Sequence, residues 1–280
     1  MSATGRAHTA RSRAQRVVKS AAGFYDQVRP RRRGVVVLAY HRVGGRTSAR
    51  EIDLPVESFD AQLELVAAHG VASTLDDALV ALTSPEPDGQ DPVVVTFDDG
   101  TADFVDVALP LLVRHDVPAI VYLATDFIES GRAFPHDGLP VSWSALRDAL
   151  STGLVTLGSH THSHALLDRV DAATATRELD RSIELIGDRT GVTARHFAYP
   201  KALTGSAPVR EVVRSRFRSA AIAGTRANRY GRTDPYRLAR SPVQRADGLE
   251  WFGRKLAGGL RLEDDVRRLA NRIRYIGAST

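Results

Sequence analysis

From residue 34 onward, short apolar runs alternate with stretches whose apolar side chains recur every three to four positions. Residues 35–40, Val-Val-Val-Leu-Ala-Tyr, read as a buried strand, and 93–97, Val-Val-Val-Thr-Phe, as a second. Further strands are predicted at 119–123, 154–158, 196–199, 220–223 and near 236–243. Between them lie helical stretches at 57–69, where Phe59, Leu63, Leu65 and Val66 fall near one face and Gly70 closes the turn, and at 102–115, 142–151, 174–189 and 208–217. A short helix precedes the polar loop Ser84-Pro85-Glu86-Pro87-Asp88-Gly89. Near-continuous apolar strands alternating with helices imply a parallel sheet covered by helices. Seven or so such units predict a distorted, incomplete (β/α) barrel of about seven parallel strands. Beyond it, Leu262, Val266, Leu269, Ile273 and Ile276 mark one stripe of a helical tail. The chain therefore divides into a leader at 1–33, a main domain at 34–250 and a C-terminal helical extension at 251–280.

Composition narrows the picture. No apolar run approaches the ~20 residues that span a bilayer. With no cysteine among 280 residues, disulfides and thiolate ligands are excluded, so a metal site must use His and carboxylate. The net charge of +5 is not spread evenly. Residues 1–33 hold nine Lys or Arg and one acid, leaving 29 basic and 32 acidic residues in the body, a net −3. A basic leader on a nearly neutral body argues against a nucleic-acid protein, and no nucleic-acid partner is expected. The leader's apolar stretch at 17–24 is short and interrupted by Lys19, so it is read as no cleavable signal. Its apolar positions 17, 18, 21, 24, 25 and 28 follow helical spacing, which suits either a helix on the body or a peripheral contact with an anionic membrane. The expected location is the cytoplasm or the inner membrane face, with export left open.

Parallel barrels place their working groups at the carboxyl ends of strands. Three predicted strands end in ionisable side chains: 93–97 runs into Asp98-Asp99-Gly100, 154–158 into Ser159-His160-Thr161-His162-Ser163-His164, and 35–40 into His41. Adjacent carboxylates diverge, so one can bind a metal while its neighbour faces substrate; the alternative is a solvated turn. His160 and His164 are four apart and would share a face in a helical turn, with His162 pointing elsewhere. Two histidines, a carboxylate and an open position are the usual catalytic zinc set. The alternative is a polar loop whose histidines satisfy backbone groups.

Thr96-Phe97-Asp98-Asp99-Gly100 with His160-Thr161-His162-Ser163-His164 resembles the first two motifs of the polysaccharide deacetylase family, the NodB-type carbohydrate esterases. Leu38-Ala39-Tyr40-His41-Arg42-Val43, Ser142-Trp143 and Phe197-Ala198-Tyr199-Pro200 extend the similarity over roughly 34–250, toward the branch that includes poly-N-acetylglucosamine deacetylases. The resemblance implies one divalent ion, usually zinc, on Asp99, His160 and His164. It further implies Asp98 as the base that takes a proton from water, and His41 as the acid for the leaving amine. Tyr199, Pro200 and Lys201 would line the substrate and oxyanion side. The implied activity is removal of N-acetyl groups from an N-acetylhexosamine-containing polysaccharide, cell-wall glycan or glycolipid.

Three departures stand out. Many members carry Arg where this chain has Ala198, and Arg240 on the late strand is a candidate substitute for orienting the base. The usual Tyr-Gly after the proline is Lys201-Ala202. No late Asp-Trp motif is evident, Trp251 being a weak candidate. A glycan-binding protein that kept the metal but lost catalysis, and a hydrolase of a non-sugar amide or ester, are the alternatives.

Overall fold

The computed structural model describes residues 33–45, 52–69, 71–86 and 88–260. The apolar runs become seven parallel strands: β1 (Val36–Tyr40), β4 (Val93–Phe97), β5 (Ala119–Leu123), β6 (Val155–Ser159), β7 (His196–Ala198), β8 (Ser219–Ala223) and β9 (Leu238–Pro242). They follow one another around a closed barrel, β9 returning to β1 through Leu38↔Ser241 and Ala39↔Pro242. The ring has seven strands rather than eight, and it is distorted where β6 meets β7 through the single pair Ser159↔Phe197. Two further short strands, β2 (Arg42–Val43) and β3 (Asp53–Leu54), pair beside the mouth; the hydrophobic pattern does not predict them, because two residues carry no periodicity.

The helices are α1 (Val56–His69), α2 (Leu75–Thr83), α3 (Leu109–His115), α4 (Thr125–Ser130), α5 (Trp143–Ser151), α6 (Ala172–Thr190), α7 (Ala207–Arg214) and α8 (Gly248–Leu256). The single helix expected over 102–115 is two pieces: a wider π-type turn at Phe104–Ala108 precedes α3. Pro110, in the first turn of α3, has no N–H to donate to the preceding turn, which accounts for the loosened ladder. Side-chain caps start α2 (Thr74), α5 (Ser142) and α6 (Asp171), satisfying amides that would otherwise lack partners.

Period-2 alternation divides the strand residues between two cores. Outward side chains of β1 and β4 pack against α1 and the π-type turn in an aromatic cluster of Tyr40, Phe59, Phe97 and Phe104, with centroids 5.0–5.8 Å apart. Inward residues Val37, Val94, Ile120, Tyr122, Ala198 and Ala221 fill the barrel, and α2 plugs its amino end with Leu75, Ala78, Leu79 and Leu82. The carboxyl end is left for polar groups. At that end α8 is fastened by the buried Lys255 ammonium, which donates to Asp247 (2.8 and 2.9 Å) and to the Pro242 carbonyl (2.7 Å). No helix among the described residues is long and apolar enough to cross a membrane. The leader helix expected at 1–33 and the stripe Leu262–Ile276 lie outside the described residues, apart from Arg33.

Candidate active site

Asp98 directly follows β4 and continues its inward register from Val94 and Thr96, its backbone N–H still bonded to the Tyr40 carbonyl (3.0 Å). The chain then turns sharply, with Asp99 at φ 76° and Gly100 at φ 92°. Gly100 is required twice over: its φ suits glycine, and a Cβ there would meet Leu123 Cδ2 at 2.8 Å. The turn separates the two carboxylates into different surroundings. It is not a solvated turn, since Asp98 is buried.

Asp99 faces two histidines from the loop after β6. Its Oδ1 lies 3.7 Å from His160 Nε2 and 3.4 Å from His164 Nε2, and one ligand atom from each residue falls within 4.8 Å of the others. His160 Nδ1 lies 2.7 Å from the Ala198 carbonyl, which can only accept. The proton therefore sits on Nδ1, and the Nε2 lone pair points toward Asp99 and His164. Burial pushes the His160 pKa down to about 4, so the ring is neutral at physiological pH. Burial also opposes ionisation of Asp99. The hydrogen bond with His164 and the neighbouring imidazoles outweigh it and hold the carboxyl well below its ordinary range. An ionised carboxylate faced by the open Nε2 of His160 and by Nε2 of His164 suits a divalent ion of zinc's preferences.

The helical turn expected to bring His160 and His164 together is not there. Residues 160–166 form a loop in which Thr161 (φ 66°) and His164 (φ 62°) are left-handed, and that reversal brings the imidazoles to 5.0 Å between centroids. His162 points elsewhere, Nδ1 meeting the Thr125 hydroxyl at 2.9 Å.

Asp98 is held on the other side by Arg240. The guanidinium fork reaches from β9, beyond β1, to donate to Asp98 Oδ1 (2.5 Å) and Oδ2 (2.8 Å), and Nη1 also donates to Thr96 Oγ1 (3.1 Å). The Tyr122 ring lies beneath the guanidinium at 5.1 Å. Burial tends to raise the Asp98 pKa. Arg240, with lesser contributions from His160 and His41, overcomes it, and the carboxyl sits below its ordinary value. His41 Nε2 lies 3.9 Å from Asp98 Oδ2. The other ring nitrogen of His41, the buried Nδ1, has no hydrogen-bond partner among the described residues.

The segment after β7 is only partly at the site. The Ala198 carbonyl touches His160, but Tyr199 shares the outward register of Phe197 and packs its ring against it (4.9 Å) in the layer beneath α6 and α7. Burial there pushes the Tyr199 hydroxyl up to about 12. The expectation that the Tyr199 side chain lines the substrate therefore conflicts with the alternation of β7. Pro200 is buried, while Lys201 (φ 55°) is exposed and Ala202 (φ 60°) follows it in the same left-handed region. Trp251 lies on α8 with Arg254 over its ring at 4.8 Å.

Three contributors were not read from sequence. Thr96, inside the first motif, braces Arg240. Glu178 on α6 accepts from the backbone N–H groups of His162 (3.0 Å) and Ser163 (2.8 Å) and from the Ser163 hydroxyl (2.8 Å). The Ala198 carbonyl sets the His160 tautomer. Only inward alternation of β4 and β7 offered a signal, for Thr96 and Ala198; Glu178 had none.

No curated relative matches the chain. Among solved structures, the chain is similar to the Streptococcus pyogenes deacetylase PplD (TM-score 0.70, 19% identity, covering 80% of this chain and 99% of that one). It is also similar to IcaB from Ammonifex degensii (TM-score 0.67, 24% identity, 80% and 97%) and to a de-N-acetylase from Aggregatibacter actinomycetemcomitans (0.64, 19%, 79% and 99%). At these identities the likeness is one of fold. Residues 86–216 match the family model for polysaccharide deacetylase, a span that includes Asp98, Asp99, His160 and His164 but neither His41 nor Arg240. Residues 86–216 thus carry a polysaccharide deacetylase domain by the family model and the two motifs, and the seven-stranded parallel barrel around them is consistent with the NodB type.

Proposed function

We propose that this chain hydrolyses the N-acetyl group of an N-acetylhexosamine in a polysaccharide, cell-wall glycan or glycolipid, using one divalent ion, with zinc first choice. The observation that carries the reading is the division of two adjacent carboxylates between different partners: Asp99 with two imidazoles, Asp98 with Arg240. When bound, the ion would supply Lewis acidity toward water and toward the acyl oxygen. Asp99, His160 and His164 would hold it.

Asp98 is ionised at neutral pH and pinned by the Arg240 fork, as a general base in fixed orientation must be. His41, across from Asp98, is the candidate to protonate the amine as it leaves. The backbone N–H of Lys201 is the candidate oxyanion donor, because the Ala198 carbonyl ties the same segment to His160. Binding without turnover is the second reading, and the observation favouring it is that Lys201 and Ala202 replace the expected Tyr-Gly at this edge.

One experiment separates them: acetate release by the purified protein from a panel of acetylated glycans, glycolipids and simple acetyl esters, before and after chelation and zinc restoration. Chelator-sensitive release from the N-acetylated sugars supports the proposal. Retention of a glycan with no acetate released favours the second reading, and release from esters alone favours a non-sugar substrate.

A further inference from the structure

Both histidines of the candidate metal set sit on a loop that should not hold its shape unaided. Thr161 and His164 occupy the left-handed region, where a side chain costs about 1–2 kcal/mol per residue, and residues 160–166 have no regular secondary structure. Something must pin the loop, and the contacts concentrate on His162 and Ser163, two of the three residues between the histidines. The His162 carbonyl accepts from the Asp126 N–H (2.8 Å) at the start of α4, and the His162 ring meets Thr125. From the opposite side, both oxygens of Glu178 take three hydrogen bonds from His162 and Ser163. Both backbone N–H groups converge on Oε2 while Oε1 takes the Ser163 hydroxyl, and a charged acceptor strengthens all three bonds.

We infer that Glu178 is a positioning residue for the metal: by gathering the N–H groups of His162 and Ser163, it sets the separation and aim of His160 and His164. The inference rests on the proposed metal role of those histidines. Residues that orient ligands in this way are typically worth about 10–100-fold in metal affinity.

The test compares wild type, Glu178→Ala, Glu178→Asp and Asp180→Asn. Asp180 is on the same helix but pairs with Arg216, away from the loop, so its variant reports general damage to α6. Zinc affinity is measured by competition with a chromophoric chelator, cobalt(II) loading by the visible spectrum, and stability by thermal unfolding of the metal-stripped proteins. Glu178→Ala should weaken zinc binding by about 10–100-fold and shift the cobalt bands. Glu178→Asp should recover part of the loss, and Asp180→Asn should bind as wild type. At saturating zinc, substrate KM should be unchanged. Wild-type affinity in Glu178→Ala, or an equal loss in Asp180→Asn, would overturn the assignment of Glu178 alone. Failure of the wild type to bind zinc or cobalt would overturn it together with the proposed metal set.

Discussion

Replacing Arg240 with methionine removes the fork from Asp98 while keeping most of the side chain's length. In wild type the pair is nearly closed to solvent, with side chains 4% and 6% exposed, so the discount that applies to surface pairs does not apply here. Breaking a buried pair from one side leaves an uncompensated charge and costs about 3–5 kcal/mol at neutral pH. The cost should depend on pH. The wild-type Asp98 pKa is depressed, so its contribution to stability is present above the unfolded value and lost as pH falls through the folded one. Without Arg240, burial dominates and the folded pKa rises above the unfolded value. The variant's penalty then fades as acid neutralises the carboxyl.

Urea unfolding of both metal-stripped proteins, at about pH 7 and about pH 4.5, measures the difference. The deficit should be largest at the higher pH and shrink at the lower, and the acid limb of kcat/KM should move to higher pH. Arg240→Lys, which keeps a charge but not the fork, should fall between. A deficit under about 1 kcal/mol, or one independent of pH, would refute the assignment of Arg240 as the group that keeps Asp98 ionised.

His41→Gln should lower kcat on N-acetylated sugars by about 10²–10⁴, with a much smaller loss on an aryl acetate, whose phenolate departs without a proton. Equal losses on both substrates would remove His41 as the acid. Ala202→Gly relieves about 1–2 kcal/mol of left-handed strain against a smaller entropic cost for glycine, so the melting temperature should hold or rise. A clear fall in thermal unfolding would contradict the conformation assigned to that turn.

The parts of this fold that could be read from sequence are those set by local pattern. Val93–Phe97 and Ala119–Leu123 were predicted to the residue because buried parallel strands are unbroken apolar runs flanked by polar turns. The same strand ends pointed to Asp98, His41 and the histidine loop. Loop conformation was not legible. The spacing of His160 and His164 fits a helical turn, yet Glu178 and Thr125, remote in sequence, hold a left-handed loop instead. Tyr199 was read as a site residue because of its motif, although the alternation with Phe197 already turned it outward. Arg240 could be named only as a replacement for the missing arginine at Ala198. Its bond to Asp98 depends on barrel closure between β9 and β1, which no local window reveals.

The central claim is that Asp99 and the histidines hold an ion while Asp98 does separate work as a base. Asp98→Asn tests it most directly, with zinc content and acetate release measured on the same preparation. The account predicts one equivalent of zinc in both proteins, and turnover in the variant reduced by about 10²–10⁴. Unchanged acetate release, or loss of the zinc along with the activity, would contradict it.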